Sequence, residues 1–150
     1  MTFTEDLVEF VKRWEGLKLV ASPDPLVPGV WDVGFGHKLT SDDRPTITRE
    51  QADAMLREDL AAVAAGVDEV VTVPLAQNEF DALVSLAYNI GNGALARSTL
   101  MRRLNDSDFY SACDEFLRWN RAGGRIVPGL VKRRYAEQAI FGEGDYSGGP

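Results

Sequence analysis

The chain has 150 residues, enough for one compact domain with a sizeable core and too few for two ordinary ones. Charged residues make up 26% and hydrophobic ones 45%, a globular balance that excludes disorder and a disulfide scaffold. The formal net charge of −7 argues against nucleic acid or an anionic membrane as partner, since both call for a basic face.

That charge is unevenly spread. Met1 to Leu95 carries 7 basic and 16 acidic residues, whereas Ala96 to Arg134 carries 9 against 4, a net of +5 inside an acidic chain. A single cysteine, Cys113, excludes an internal disulfide and any zinc site built on several thiolates; its helical, apolar neighbourhood reads as core. His37 is the one histidine, so a histidine metal cluster is excluded and no metal or cofactor is expected. The opening Met1-Thr2-Phe3-Thr4-Glu5-Asp6 lacks the pattern of a signal peptide, and no run approaches the ~20 apolar residues of a membrane span. The expectation is a protein made and folded in the cytoplasm.

In chain order, Thr2 with Glu5 has the capping-box spacing, and Phe3, Leu7, Phe10, Val11 and Trp14 share a helical face, predicting a helix from Thr2 to Trp14 that ends at Glu15-Gly16. From Leu17 to Thr40, prolines and glycines punctuate short apolar runs, predicting a small sheet. Thr48 with Gln51 opens a second helix that Gly66 is expected to stop. Helical segments are then predicted around Gln77 to Ile90, Ala94 to Leu104, Ser107 to Trp119 and Gly129 to Phe141. The glycine-rich tail 142–150 is expected to be mobile. Strands segregated from helices indicate a single α+β domain, with a cleft between a sheet-bearing lobe and a helical lobe.

Three carboxylates could carry chemistry in such a cleft. Glu15 stands at the C-terminal end of its helix beside Trp14, where the helix dipole and partial desolvation both disfavour the charged form, as a general acid requires. Asp24 is held between Pro23 and Pro25. Paired with a protonated glutamic acid, a fixed carboxylate is the equipment of glycoside hydrolysis. Taken alone, however, Glu15 reads first as a solvated glutamate and Asp24 as an ordinary turn aspartate. In Trp31-Asp32-Val33-Gly34-Phe35-Gly36-His37, period-two alternation puts Asp32 opposite the Trp, Val and Phe face, towards the cleft, and the glycines allow a ligand close to the backbone.

Glu15-Gly16-Leu17-Lys18-Leu19, then Asp24, then Gly34-Phe35-Gly36-His37 resemble the N-terminal signature of the phage-type lysozymes, the endolysins of glycoside hydrolase family 24. The resemblance continues through Phe80 to Gly91, Ser98-Thr99-Leu100, Arg118-Trp119-Asn120 and Gly129-Leu130 to Arg133-Arg134, covering roughly residues 5 to 141. It implies a lysozyme-like fold and a muramidase that cleaves the β-1,4 bond between N-acetylmuramic acid and N-acetylglucosamine in peptidoglycan. By the same resemblance Glu15 matches the catalytic acid, Asp24 the second carboxylate, and His37 with Asp59 a structural salt bridge. Gly34, Gly36, Lys38, Tyr88 and Asn89 are the expected glycan contacts. A monomer is implied, made in the host cytoplasm and released to the wall through a membrane pore.

Two departures stand out. Pro25-Leu26-Val27-Pro28 contains a two-residue insertion, and Asp32 occupies a strand position where relatives commonly have threonine. A carboxylate there can direct water as a base, or attack the sugar directly. Two other functions are compatible with the motifs: a glycan-binding or virion relative without turnover, and a chitinase or chitosanase. The net +5 segment leads us to expect a basic face on the helical lobe that orients an anionic glycan.

Overall fold

The computed structural model describes residues 1–40 and 44–150. Helix α1 runs Glu5–Glu15 and buries Leu7, Val8, Phe10 and Val11, the i, i+3, i+4 face read from the sequence. Its N-cap is Thr4, whose hydroxyl accepts from the Leu7 N–H, rather than the expected Thr2. Tertiary structure decided between the two threonines. Thr4 also gives its hydroxyl and backbone N–H to buried Asp81, while Thr2 supplies only its carbonyl, to Gln77.

Strands β1 (Lys18–Pro23), β2 (Trp31–Gly34) and β3 (His37–Leu39) form an antiparallel sheet in that order, with an irregularity in β1 between Lys18 and Ser22. In the β2–β3 register Asp32 pairs with Lys38 and Val33 with His37. Helix α2 (Arg49–Val70) opens with the expected capping box, Thr48 and Gln51 each bonding the other's backbone. Gly66 does not stop it. The buried face continues through Ala64 and Val67, and Gly66 is where the Asn92 side chain seats: a Cβ there would stand 2.1 Å from Asn92 Nδ2.

Helix α3 (Gln77–Ile90) has every residue from Phe80 to Ala87 buried, so it runs through the middle of the helical lobe. The segment expected as one helix from Ala94 to Leu104 is two, α4 (Asn92–Ala96) and α5 (Thr99–Asn105), because Ser98 caps the second through its hydroxyl on the Met101 N–H. Helix α6 (Phe109–Glu115) continues into a 3₁₀ turn, Phe116–Arg118. A two-residue hairpin, β4 (Arg121–Ala122) and β5 (Arg125–Ile126), follows; the all-helical expectation missed it, although Gly123-Gly124 is a hairpin turn signal. Helix α7 (Pro128–Glu143) starts on proline and ends at Gly144 in the left-handed conformation.

Two cores result. The large one gathers α1, the later part of α2, α3, α5 and α7; the small one holds Ala21, Val33, Ile47 and Ala52 under the sheet. Helix α2 contributes to both and so joins the lobes, and Phe35 packs against both. The segment 142–150, expected to be mobile, makes specific bonds: the Tyr146 hydroxyl donates to Asp81 Oδ2 at 2.8 Å, and Arg13 bonds the carbonyls of Tyr146 and Gly148. Cys113 is partly buried against Gln138, and burial pushes its thiol pKa up, consistent with a core role.

Candidate active site

Glu15 is the last residue of α1, so its carboxyl leaves the helix where the chain turns towards the sheet. Arg133 Nη1 on α7 donates to Glu15 Oε1 at 2.7 Å. The other oxygen, Oε2, lies against the β2–β3 turn, 2.8 Å from where a Cβ on Gly36 would stand. Gly36 therefore lacks a side chain for a reason of space as well as conformation, since its φ is +80°. Arg133, more than a hundred residues further along the chain, is a partner of Glu15 that the sequence did not foretell.

Asp24 closes the inserted loop. Its Oδ1 accepts from the backbone N–H groups of Leu26 and Val27 at 2.7 and 3.1 Å, and its Oδ2 from Lys38 Nζ at 2.8 Å. The Lys38 ammonium first, and these backbone donors next, hold the Asp24 carboxyl down at about 2. Lys38 Nζ also donates to Asp32 Oδ1 at 2.5 Å. Asp32 lies buried on β2, cross-strand from Lys38 and near Ser22 on β1. One lysine thus bridges the expected second carboxylate and the aspartate that departs from the family pattern. Lys38, expected among glycan contacts, uses two of its donors inside the site and ties Asp24, just past the end of β1, to Asp32 on β2.

Tyr88 projects from α3 and donates its hydroxyl to the Phe35 carbonyl at 2.5 Å, latching the β2–β3 turn to the helical lobe. Burial raises its pKa above the ordinary phenol range, helped by the charges of Glu15, Asp59 and Asp32, so it remains a neutral donor. His37 Nδ1 meets Asp59 Oδ2 at 2.7 Å, tying β3 to α2. Gly36, His37, Lys38, Asp59 and Tyr88 line a recess of about 340 Å³. Gly34 is placed differently from expectation: it is buried against Ile47 and Ala52, letting the hairpin sit close on α2 rather than opening the backbone to a ligand.

A second, larger groove of about 520 Å³ is lined by Leu26 of the inserted loop together with Asn89, Trp119, Arg118, Arg121 and Arg134. Asn89, an expected glycan contact, is exposed in this groove. Arg118 and Arg121 of the basic segment are exposed and line this groove. Among the described residues no group of three or more His, Cys, Asp or Glu side chains is placed to hold a metal ion.

The sequence reading missed Glu137. It is wholly buried, accepts from Ser85 Oγ at 2.8 Å, and pairs with both Arg133 and Arg134. Its i−4 and i−3 spacing from the two arginines on one helix was the available signal.

A glutamate at a helix end, with an aspartate whose pKa is held down to about 2 on the neighbouring sheet-bearing lobe, is the equipment of a glycoside hydrolase. A family model described as phage lysozyme matches residues 12–137. An endolysin of Acyrthosiphon pisum secondary endosymbiont phage 1 is 43% identical over 94% of this chain and 98% of its own length. One from Bacillus phage B103 is 40% identical over 97% of this chain, which spans 56% of that relative. The muramidase domain of SpmX from Asticaccaulis excentricus superposes with a TM-score of 0.85 at 35% identity, covering 93% of this chain and 97% of that one. The chain belongs to the phage lysozyme family, and is a glycoside hydrolase of lysozyme type with the lysozyme-like fold.

Proposed function

We propose that this domain is a peptidoglycan hydrolase, cleaving the β-1,4 bond between N-acetylmuramic acid and N-acetylglucosamine, with Glu15 as general acid and Asp32 as the carboxylate that acts on the other face of the sugar. The observation that carries this is the setting of Glu15, one oxygen fixed by Arg133 and the other presented at Gly36 in the β2–β3 turn, the same hairpin whose Lys38 joins Asp24 and Asp32. In the reaction the bond from the anomeric carbon to the glycosidic oxygen breaks and that oxygen takes the Glu15 proton. Water adds to the anomeric carbon and gives its proton to Asp32. Asp24, committed to its loop and to Lys38, holds Lys38 in place and supplies a fixed negative charge.

The groove lined by Leu26, Asn89, Trp119 and Arg121 accommodates the flanking sugars, its arginines facing the anionic stems of the wall. On this reading the protein works as a monomer on the bacterial wall, bound neither to nucleic acid nor within a membrane. No described helix is long and apolar enough to cross a bilayer, and the proposed route from the host cytoplasm to the periplasmic wall is release through a membrane pore.

The test is release of reducing ends from purified peptidoglycan. Glu15→Gln abolishes release while circular dichroism stays unchanged. Asp32→Ala lowers kcat by at least ~10²-fold, the range of one acid or base group; full activity in a folded Asp32→Ala variant sinks its assigned role. The anomer first formed, read by NMR, decides whether Asp32 directs water (inversion) or attacks the sugar (retention). Binding without release by the wild-type protein favours a glycan-binding relative instead.

A further inference from the structure

Helix α7 buries three charged side chains on one face: Arg133, Arg134 and Glu137 are 5%, 1% and 0% exposed. Glu137 Oε1 accepts from Ser85 Oγ at 2.8 Å, Arg134 Nη2 at 3.1 Å and Arg133 Nε at 3.2 Å, and Oε2 lies 2.9 Å from Arg134 Nε. Arg134 Nη1 is spent on the Trp119 carbonyl. Arg133 Nη1 holds Glu15, while its Nη2 is buried with no hydrogen-bond partner among the described residues. The buried cluster therefore has two positive charges and one negative, and Glu15 is the carboxylate that brings it to neutrality.

We infer that Glu137 is a positioning residue that sets how much uncompensated positive charge Arg133 presents to Glu15, and so lets Glu15 keep the proton a general acid must hold. With Glu137 in place, protonating Glu15 leaves the cluster at +1; without it the same step leaves +2 in a desolvated site, where like charges are expensive to gather. Burial works against the charge of Arg134 and Glu137 works for it, so the carboxylate is what allows two guanidiniums to stay side by side.

The other groups around Glu15 do not substitute for Glu137. Tyr88 from α3 stays neutral. Asp24 and Asp32 from the sheet are both engaged by Lys38, and Asp59 from α2 is engaged by His37. Around Glu137 itself the facing groups are Ser85 of α3 and the two arginines of its own helix.

The inference rests on Glu15 being the general acid, and the experiment keeps the two apart. In the kcat/KM against pH profile on solubilised peptidoglycan, Glu137→Gln moves the basic limb towards acid by about one pH unit or more, as an extra unpaired cation beside a carboxyl does. Activity at the acid optimum stays within about threefold and KM is unchanged. Glu137→Asp restores the limb towards its wild-type position, and Ser85→Ala, which keeps every charge, leaves it in place. Arg134→Gln removes one positive charge and moves the limb the opposite way, which decides the matter on its own where Glu137→Gln does not fold. A uniform loss at every pH, or shifts of one sign in Glu137→Gln and Arg134→Gln, overturns the inference. If Glu15→Gln retains activity, the acid assignment fails instead, whatever the Glu137 variants do.

Discussion

Gly36→Ala isolates the placement of Glu15 from its chemistry. The added methyl carbon would start 2.8 Å from Glu15 Oε2 and 3.2 Å from its Cδ. Reaching the 3.4 Å of ordinary contact from 2.8 Å requires a displacement of about 0.6 Å. Arg133 already anchors the opposite oxygen, so the carboxyl must rotate off that bond or the β2–β3 turn must lift away from it. A misplacement of about 1 Å near reacting atoms costs on the order of 10²-fold, so a loss of about 10- to 100-fold in kcat is expected. The positive φ adds about 1 to 2 kcal/mol of destabilisation for any residue with a Cβ. Gly144→Ala is the control: it has φ +67° at the end of α7, meets nothing nearer than 3.9 Å, and lies outside the cleft. Both variants should lose similar stability in urea titrations, and only Gly36→Ala should lose turnover in the reducing-end assay. Equal kcat in the two variants would falsify the contact argument.

Two further outcomes follow from titratable side chains. Asp24 has its folded-state pKa depressed to about 2 from 3.8, so its ionised form stabilises the fold above about pH 4, and that contribution disappears as the pH falls towards 2. Asp24→Asn should therefore melt below wild type at pH 6, with the difference in Tm shrinking by pH 2.5; a constant difference across that window contradicts the linkage. Tyr146→Phe removes one of four donors from buried Asp81, the others being the Thr4 hydroxyl, the Thr4 N–H and Gln77. A loss of about 1 kcal/mol in chemical denaturation, with activity retained, is expected; an unchanged midpoint shows that the tail contributes nothing.

What could be read from the sequence was local. The Thr48 and Gln51 box needs only three intervening bonds of helix, and it forms as expected. Glu15 ends α1 because the apolar face ends there and Gly16 follows, and Asp32 falls on the expected strand, although Asp32, Val33 and Gly34 are all buried there and show no alternation. Features that depend on distant partners were not legible. Thr4 outcompetes Thr2 through Asp81, more than seventy residues away. Gly66 stays inside α2 because Asn92 packs there, a fact no window around Gly66 contains. Lys38 looked like a ligand contact until the hairpin register put it across from Asp32 and beside Asp24. Glu137 looked like one more polar residue on a terminal helix, and only the burial of that helix face turns it into a counter-charge.

The unequal size of the two cores bears on how the cleft moves. Glu15 belongs to the stiffer body: α1 is packed into the large core, and its end is pinned to α7 by Arg133. Asp24 and Asp32 ride on a sheet whose own buried core is four residues, three of them no larger than valine or alanine apart from Ile47. Regions with few buried apolar contacts open at lower free energy than the body they adjoin. Breathing of this molecule therefore leaves Glu15 in its fixed setting and changes how far Asp24 and Asp32 stand from it. On the proposed function, a long glycan strand enters with Glu15 already oriented, and the separation of Glu15 from Asp24 and Asp32 is set when the sheet settles back.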